Sequence, residues 1–431
     1  MKLPRYLAIL SLLVFPPTLQ AARSASFAEF DRRAKAGETL NVVFFGSSLT
    51  WGANASDPQH TSYRALLSAR IKKTYPKARF QFWDASIGGT NSQLAAFRLD
   101  RDVLRRKPHL VIVEFTANDD MKTLSPETLA AYESVIRRII AEAKAPVVQA
   151  ILPFQWHVTG TKLEALKRRN AHIAIAQAYN TAVADGVVPL RTMIGKEKSI
   201  VAQLWPIDRI HPGDKGYRVF ADIIEQALQR AIKAKSICQL PKKLIHADTY
   251  LKCNRVRLAK LGSLPKGWRS DIARRTSAHY DMLMSRWLDG VIVAENGKLI
   301  PQPKGPKKFV PQKVDRWKMA FRAKTVLLFG ESTLDSGSYR VYLDGKRLGP
   351  KTKDDKIQDY NASLLASIMG GNTHLVQELA TGLDPNKTHT LEIEPILTST
   401  TSVQQLRLES ICLAGGPAKF IELKKEKQKQ K

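Results

Sequence analysis

Leu40-Asn41-Val42-Val43-Phe44-Phe45 runs directly into Gly46-Ser47-Ser48. A mostly unbroken apolar run of this length fits a strand buried on both faces, as in a parallel sheet covered by helices. The serine beyond it then stands at the carboxyl end of a strand, where open parallel sheets bind their ligands. The same grammar repeats downstream. Strands are predicted at residues 79–83, 110–115 and 146–152, with Val187-Val188-Pro189-Leu190 as a short fifth. Helices are predicted at 61–75, ended by Pro76; from Ser92, read as its cap, to about 104; from Ser125-Pro126-Glu127 onward; and at 162–179 and 214–234. Strands alternating with helices imply a three-layer α/β/α sandwich, of flavodoxin-like type, around a parallel sheet.

After Lys235 the grammar changes. Residues 238–320 are rich in Lys, Arg and Pro and give no clear pattern. Short strands follow at 325–329, 339–343, 388–393 and 405–413, with Asp344-Gly345 as a hairpin signal and a turn at Gly382-Leu383-Asp384-Pro385-Asn386. This reads as an antiparallel β-sandwich. The expected organisation is a catalytic domain over 24–237, a sandwich over 238–418 and a basic, disordered tail over 419–431. A chain of 431 residues has room for two such cores.

The formal net charge of +29 suits attraction to an anionic polymer, such as an anionic polysaccharide. No zinc-finger spacing, RNP-like aromatic motif or basic reading helix accompanies it, so specific nucleic-acid binding is not expected. Met1-Lys2 and Arg5, then an apolar stretch over 6–15, Pro16-Pro17 and Ala21-Ala22, read as an export signal over residues 1–22. The expected location is the periplasm or the exterior. No later segment is apolar enough to span a bilayer. Of three cysteines, Cys238 and Cys253 could bridge across a short loop; buried free thiols are the equal alternative. None has the spacing of a zinc site.

The chemistry gathers at the strand ends. Ser48 follows the first strand, Gly88-Gly89 the second and Asn118 the third, while Asp208 and His211 sit three apart ahead of the last helix. These are the parts of a serine hydrolase: nucleophile, base, orienter and oxyanion donors. Over about residues 39–230 the chain resembles the SGNH, or GDSL-type, hydrolase family. Gly46-Ser47-Ser48-Leu49-Thr50 stands at that family's first block and Ser86-Ile87-Gly88-Gly89-Thr90 at its glycine block. Thr116-Ala117-Asn118-Asp119 stands at its GxND block and Asp208-Arg209-Ile210-His211-Pro212 at its DxxHP block. The resemblance implies Ser48 as nucleophile, His211 as base and Asp208 as its orienter. It implies an oxyanion hole from the Ser48 and Gly89 N–H groups and the Asn118 amide. Two departures, Ser47 for aspartate and Ala117 for glycine, mark a divergent branch and leave the substrate less defined than the chemistry.

Such a constellation requires no cofactor and no metal. Trp51, Trp156 and His157 are candidates for the substrate pocket, His157 also as a rival base, and Glu114 is an odd polar residue in an apolar run. The segments 337–345 and 389–393 look like the jelly-roll modules found beside carbohydrate esterases of the family. The expected activity is hydrolysis of carboxylic esters, foremost O-acetyl groups on carbohydrate. An O-acyltransferase with the same triad, a lipase or thioesterase, and a non-catalytic carbohydrate-binding protein are the alternatives.

Overall fold

The computed structural model describes residues 24–277 and 288–421. The expected export signal lies outside these residues, as does most of the basic tail. Helix α1, Phe27–Lys35, starts where the Ser26 side chain accepts a hydrogen bond from Glu29 N. The order then runs β1 Thr39–Gly46, α2 Ser48–Trp51, α3 Tyr63–Thr74, β2 Arg79–Ser86, α4 Ser92–Asp102, β3 Leu110–Glu114 and α5 Pro126–Arg138. It continues with β4 Val147–Ile151, α6 Gln155–Thr159, α7 Lys167–Tyr179, β5 Ala182–Asp185, α8 Val187–Lys196, α9 Ile200–Leu204 and α10 Asp214–Lys233. The five strands form one parallel sheet in the order β2-β1-β3-β4-β5. Val42, Val43, Phe44 and Phe45 are all fully buried, so both faces of β1 are covered, as the apolar run predicts.

Two local readings need correction. The fifth strand is Ala182–Asp185, not residues 187–190, which open α8. Val187, Leu190 and Ile194 are the buried positions, a helical spacing. Pro189 is the third residue of that helix, where a missing N–H breaks no intrahelical bond. The cap of α4 is Asn91, whose side chain accepts from Leu94 N at 3.3 Å; Ser92 is the first helical residue and is bonded elsewhere.

The second unit is built from β6 Cys253–Arg257, β7 Trp268–Ile272, β8 Gly290–Glu295, β9 Gly297–Ile300, β10 Lys308–Pro311, β11 Trp317–Arg322 and β12 Thr325–Ser332. There follow β13 Ser338–Leu343, β14 Lys346–Leu348, β15 Tyr360–Asn361, α11 Leu364–Met369, β16 Thr373–Ala380, β17 His389–Ile396, β18 Gln405–Ala414 and β19 Lys419–Ile421. One antiparallel sheet has the order β14-β13-β17-β11-β19 and the other β16-β12-β18-β8-β7. Asp344 and Gly345 have φ of 52° and 79°, the backbone that the β13–β14 hairpin turn requires. Residues 419–421 are not disordered. They pair with β11, where Phe420 lies opposite Phe321 and packs on the sandwich core.

Side chains alternate along β12, and each set meets a different partner. Val326 and Leu328 point into the sandwich with Phe321, Val341, Leu391 and Ile393. Leu327 and Phe329, with Cys412 and Ala414 of β18, belong to the core of the α/β unit. Polar bonds follow the same seam: Gln93 on α4 donates to Tyr250 OH at 2.9 Å and to Glu378 on β16 at 2.5 Å, and Tyr250 OH donates to Glu127 on α5 at 2.6 Å. Residues 238–251 run along the α/β unit, where Glu133 accepts from Ile245 N and His246 N. The Cys238–Cys253 bridge does not form. All three thiols are free: Cys238 is buried in the core of the α/β unit, and Cys253 Sγ donates to Tyr250 O at 3.3 Å.

Candidate active site

The site is assembled at the carboxyl ends of β2, β1 and β3. Strand β1 ends at Gly46 because the chain must turn sharply there: a Cβ on Gly46 would lie 2.0 Å from Thr50 Oγ1 and 2.8 Å from Glu114 O. Ser48 is the first residue of α2, a single helical turn that closes with Gly52 at a φ of 99°. Three buried side chains hold this turn. Arg98 of α4 donates to Gly46 O at 2.9 Å and to Ala85 O at 2.6 Å, tying the ends of β1 and β2 together. Arg64 reaches Thr50 O at 3.3 Å. Glu114, the odd polar residue of β3, accepts through Oε2 from Ser47 N at 3.2 Å, Ser47 Oγ at 2.9 Å and Thr50 Oγ1 at 3.0 Å. Burial pushes the Glu114 carboxyl up to about 7 against the pull of those three donors. Ser47 therefore supplies a hydroxyl donor to a buried carboxyl directly behind the Ser48 turn.

The segment before α10 comes back to this turn. His211 Nε2 lies 2.9 Å from Ser48 Oγ, and His211 Nδ1 lies 3.0 Å from Asp208 Oδ2. Asp208 is saturated by four bonds. Its Oδ1 accepts from Ile210 N and His211 N, both at 2.6 Å, and its Oδ2 accepts from His211 and from Asn54 Nδ2 at 2.8 Å. Partial burial alone would raise the Asp208 pKa. The bonds from the His211 side chain and backbone outweigh it and hold the carboxylate well below its ordinary range. Ser48 and His211 are buried, while the Asp208 side chain is about one-third exposed at 32%.

Gly89 sits in the loop after β2 at a φ of 71°, a conformation that favours glycine. Ile87 N in the same loop donates to Gly46 O at 3.1 Å. Asn118 lies in the loop after β3, and its neighbour Asp119 accepts from Ser92 N at 2.9 Å. The three loops expected to carry nucleophile and oxyanion donors are thus bonded to one another through their backbones and buried side chains. Trp51 ends α2, half-buried, and packs on Ala53 beside Met369 of α11. Trp156 is half-buried on α6 against Phe154.

His157 does not join the line of Ser48, His211 and Asp208. It is buried and stacked on Phe154, its Nδ1 accepts from Phe154 N at 3.1 Å, and burial pushes its pKa down to about 4. The rival-base role has no geometry here, and a side chain so covered offers substrate little surface. Asn54 was not singled out in the sequence. Its only local signal is Gly52-Ala53-Asn54, and asparagine is one of the few residues at ease at a φ of 65°. Among the described residues, no group of three or more His, Cys, Asp or Glu side chains could hold a metal ion, and no helix is long and apolar enough to cross a membrane.

The profile of the GDSL-like lipase/acylhydrolase family matches residues 44–219, the stretch that spans all four sequence blocks. Over those residues the chain is similar to that family. The match supports an enzyme that hydrolyses ester bonds. Among solved structures, a two-domain esterase (CEX) active on acetylated mannans, co-crystallised with mannopentaose, is 20% identical, with 90% of this chain and 94% of that one covered and a TM-score of 0.67. The same esterase without the sugar aligns at 21% identity with the same coverage and TM-score. An acetylxylan esterase, Axe2, from Geobacillus stearothermophilus aligns at 19% identity over 45% of this chain and 96% of its own, with a TM-score of 0.38. No curated protein matches the chain. At such identities the long alignments speak to fold: an α/β hydrolase unit followed by an antiparallel β-sandwich occurs in both proteins.

Proposed function

We propose that the chain is an exported serine esterase that removes O-acetyl groups from carbohydrate. The observation that carries the mechanism is the line Ser48 Oγ, His211 Nε2, His211 Nδ1, Asp208 Oδ2, with spacings of 2.9 Å and 3.0 Å. Ser48 Oγ attacks the ester carbonyl and His211 takes its proton. Asp208 holds the imidazole and stabilises the charge it gains. The oxyanion is received by the N–H groups of Ser48 and Gly89 and by the Asn118 amide. His211 then protonates the sugar oxygen as its bond to the acyl carbon breaks, so the sugar leaves as a free hydroxyl and the acyl group stays on Ser48. Water, deprotonated by the same His211, attacks the acyl-enzyme and releases acetate and free Ser48.

Carbohydrate as the alcohol is supported by the fold shared across both units with an esterase active on acetylated mannans. The net charge of +29 favours a polymer that carries anionic groups beside its acetyl groups. Export is supported by the charge-then-apolar order of residues 1–22. The test is a panel on the purified chain: acetyl, butyryl and long-chain nitrophenyl esters, then acetylated mannan and xylan, each beside Ser48→Ala. Acetyl esters and acetylated polysaccharide should lead, and Ser48→Ala should abolish both. A preference for long-chain esters would replace carbohydrate with lipid as the substrate class.

A further inference from the structure

We propose that Asp119 is a positioning residue for this reaction: it ties the loop after β3 to the first residue of α4 and so sets the spacing of Asn118 and Gly89 around the nucleophile. The proposal rests on the reading of those two residues as oxyanion donors.

The loops that carry the two donors come from strands on either side of β1, and each needs an external anchor. Gly88 and Gly89 carry no side chains, and a backbone at positive φ is held by its neighbours or not at all. The near end of the glycine loop is pinned by Ile87 N on Gly46 O and by Thr90 Oγ1 on Ile87 O. Its far end enters α4 at Ser92, three residues beyond Gly89, and there Asp119 takes hold. Asp119 Oδ1 accepts from Ser92 N at 2.9 Å and Ser92 Oγ at 3.0 Å. That N–H belongs to the first turn of a helix, where it has no intrahelical acceptor and the helix end favours a carboxylate. Asn118 is the residue next to Asp119, so one side chain links the loops of the two donors.

The other side of Asp119 is equally closed. Its side chain is fully buried, and Oδ2 faces His172 Nε2 at 3.8 Å. His172, on α7, has its Nδ1 3.0 Å from Thr116 Oγ1, two residues before Asn118. Its ring stacks on Tyr132 of α5 with centroids 3.6 Å apart and planes 9° from parallel. The loop 116–119 is therefore gripped from α4 by Ser92 and from α7 by His172. An oxyanion donor acts through its placement in the transition state, and displacement of about an ångström is costly. Loss of the Asp119 bonds should then act on turnover and spare substrate affinity.

The experiment is a double-mutant cycle on the full chain with nitrophenyl acetate. Asp119→Leu should lower kcat about tenfold to a hundredfold with KM within about twofold, while Asp119→Asn, which keeps an oxygen toward Ser92, should retain most of the activity. In an Asn118→Ala background, Asp119→Leu should cost clearly less than in the wild type, because one of the two donors it places is already gone. Wild-type turnover in Asp119→Leu, with Asn118→Ala impaired, would overturn the positioning role alone. Wild-type turnover in Asn118→Ala would overturn the oxyanion reading and this proposal with it. If Asp119→Leu does not fold, Ser92→Ala enters the same cycle. A severalfold loss in kcat that shrinks beside Asn118→Ala supports the link, and an additive loss refutes it.

Discussion

Strands β1 and β12 carry similar apolar runs, Val42-Val43-Phe44-Phe45 and Val326-Leu327-Leu328-Phe329, and every one of these residues is buried. Strand β1 lies between parallel neighbours, with helices over both faces. Strand β12 lies between antiparallel neighbours, β16 and β18, with the second sheet over one face and the α/β unit over the other. An unbroken apolar run therefore reports two covered faces, and what covers them differs between the two places. In β1 the cover comes mainly from helices of its own unit, and the strand end is free to carry chemistry. In β12 the cover is another unit of the chain, so the sandwich is not a module that could be lifted away.

Variants at the two strands sharpen that contrast. At the end of β1, Ser48→Ala should lower ester hydrolysis by about a thousandfold or more while leaving the melting temperature nearly unchanged. Residual activity close to wild type would move the nucleophile, with Ser47 next in line. On the outer face of β12, Phe329→Ala should cost about 3–5 kcal/mol of stability, because it opens a cavity at the seam and removes the ring beneath the Arg255 guanidinium, 5.0 Å away. Denaturant unfolding measures this, and a loss under about 1 kcal/mol would mean that the seam is not a true core. Asn118→Ala, beyond β3, should reduce kcat by about a hundredfold with little change in KM. Weak binding with normal turnover would give Asn118 a ground-state role instead.

A further comparison is of pH dependence. The Glu114 carboxyl sits at about 7 in the fold, against about 4.3 in an unfolded chain. Below about pH 4 both states are protonated and the contribution of the neutral group to stability is whole. As the pH rises toward 7 the unfolded chain releases its proton and the folded one keeps it, so that contribution drains away, and above about 7 it is gone. Glu114→Gln removes the titration. The melting temperature of the wild type should therefore fall relative to this variant between pH 5 and 7.5. Parallel curves would show that Glu114 is ionised throughout.

What was legible in the sequence followed from distance along the chain. Asp208 and His211 are three apart, and the turn that bonds Asp208 Oδ1 to two backbone N–H groups is local, so spacing alone announces it. The strand ends that carry Ser48, Gly89 and Asn118 were readable because hydrophobic runs stop there. The supports were not readable. Asn54 reaches Asp208 across 154 residues and Glu114 reaches Ser47 across 67, and no local pattern encodes either contact. The fifth strand was misplaced because Val187 and Val188 favour strands in isolation, while the covered face of α8 overrides them. The attachment of the sandwich was missed for a related reason. The run from 326 to 329 contains no polar residue, but nothing local says which unit of the chain covers its second face.

The seam at β12 also bears on how the chain reaches its final form. The core that holds β1 contains Phe27 near the beginning of the described chain and Ala414 near its end. A growing chain that has emerged only as far as α10 has all five strands of its parallel sheet, yet still lacks the strand that seals it. Closure waits for β18, the second last strand of the fold, to arrive beside β12. Heat should then undo the molecule in a single cooperative step, with one calorimetric peak where two independent domains would give two.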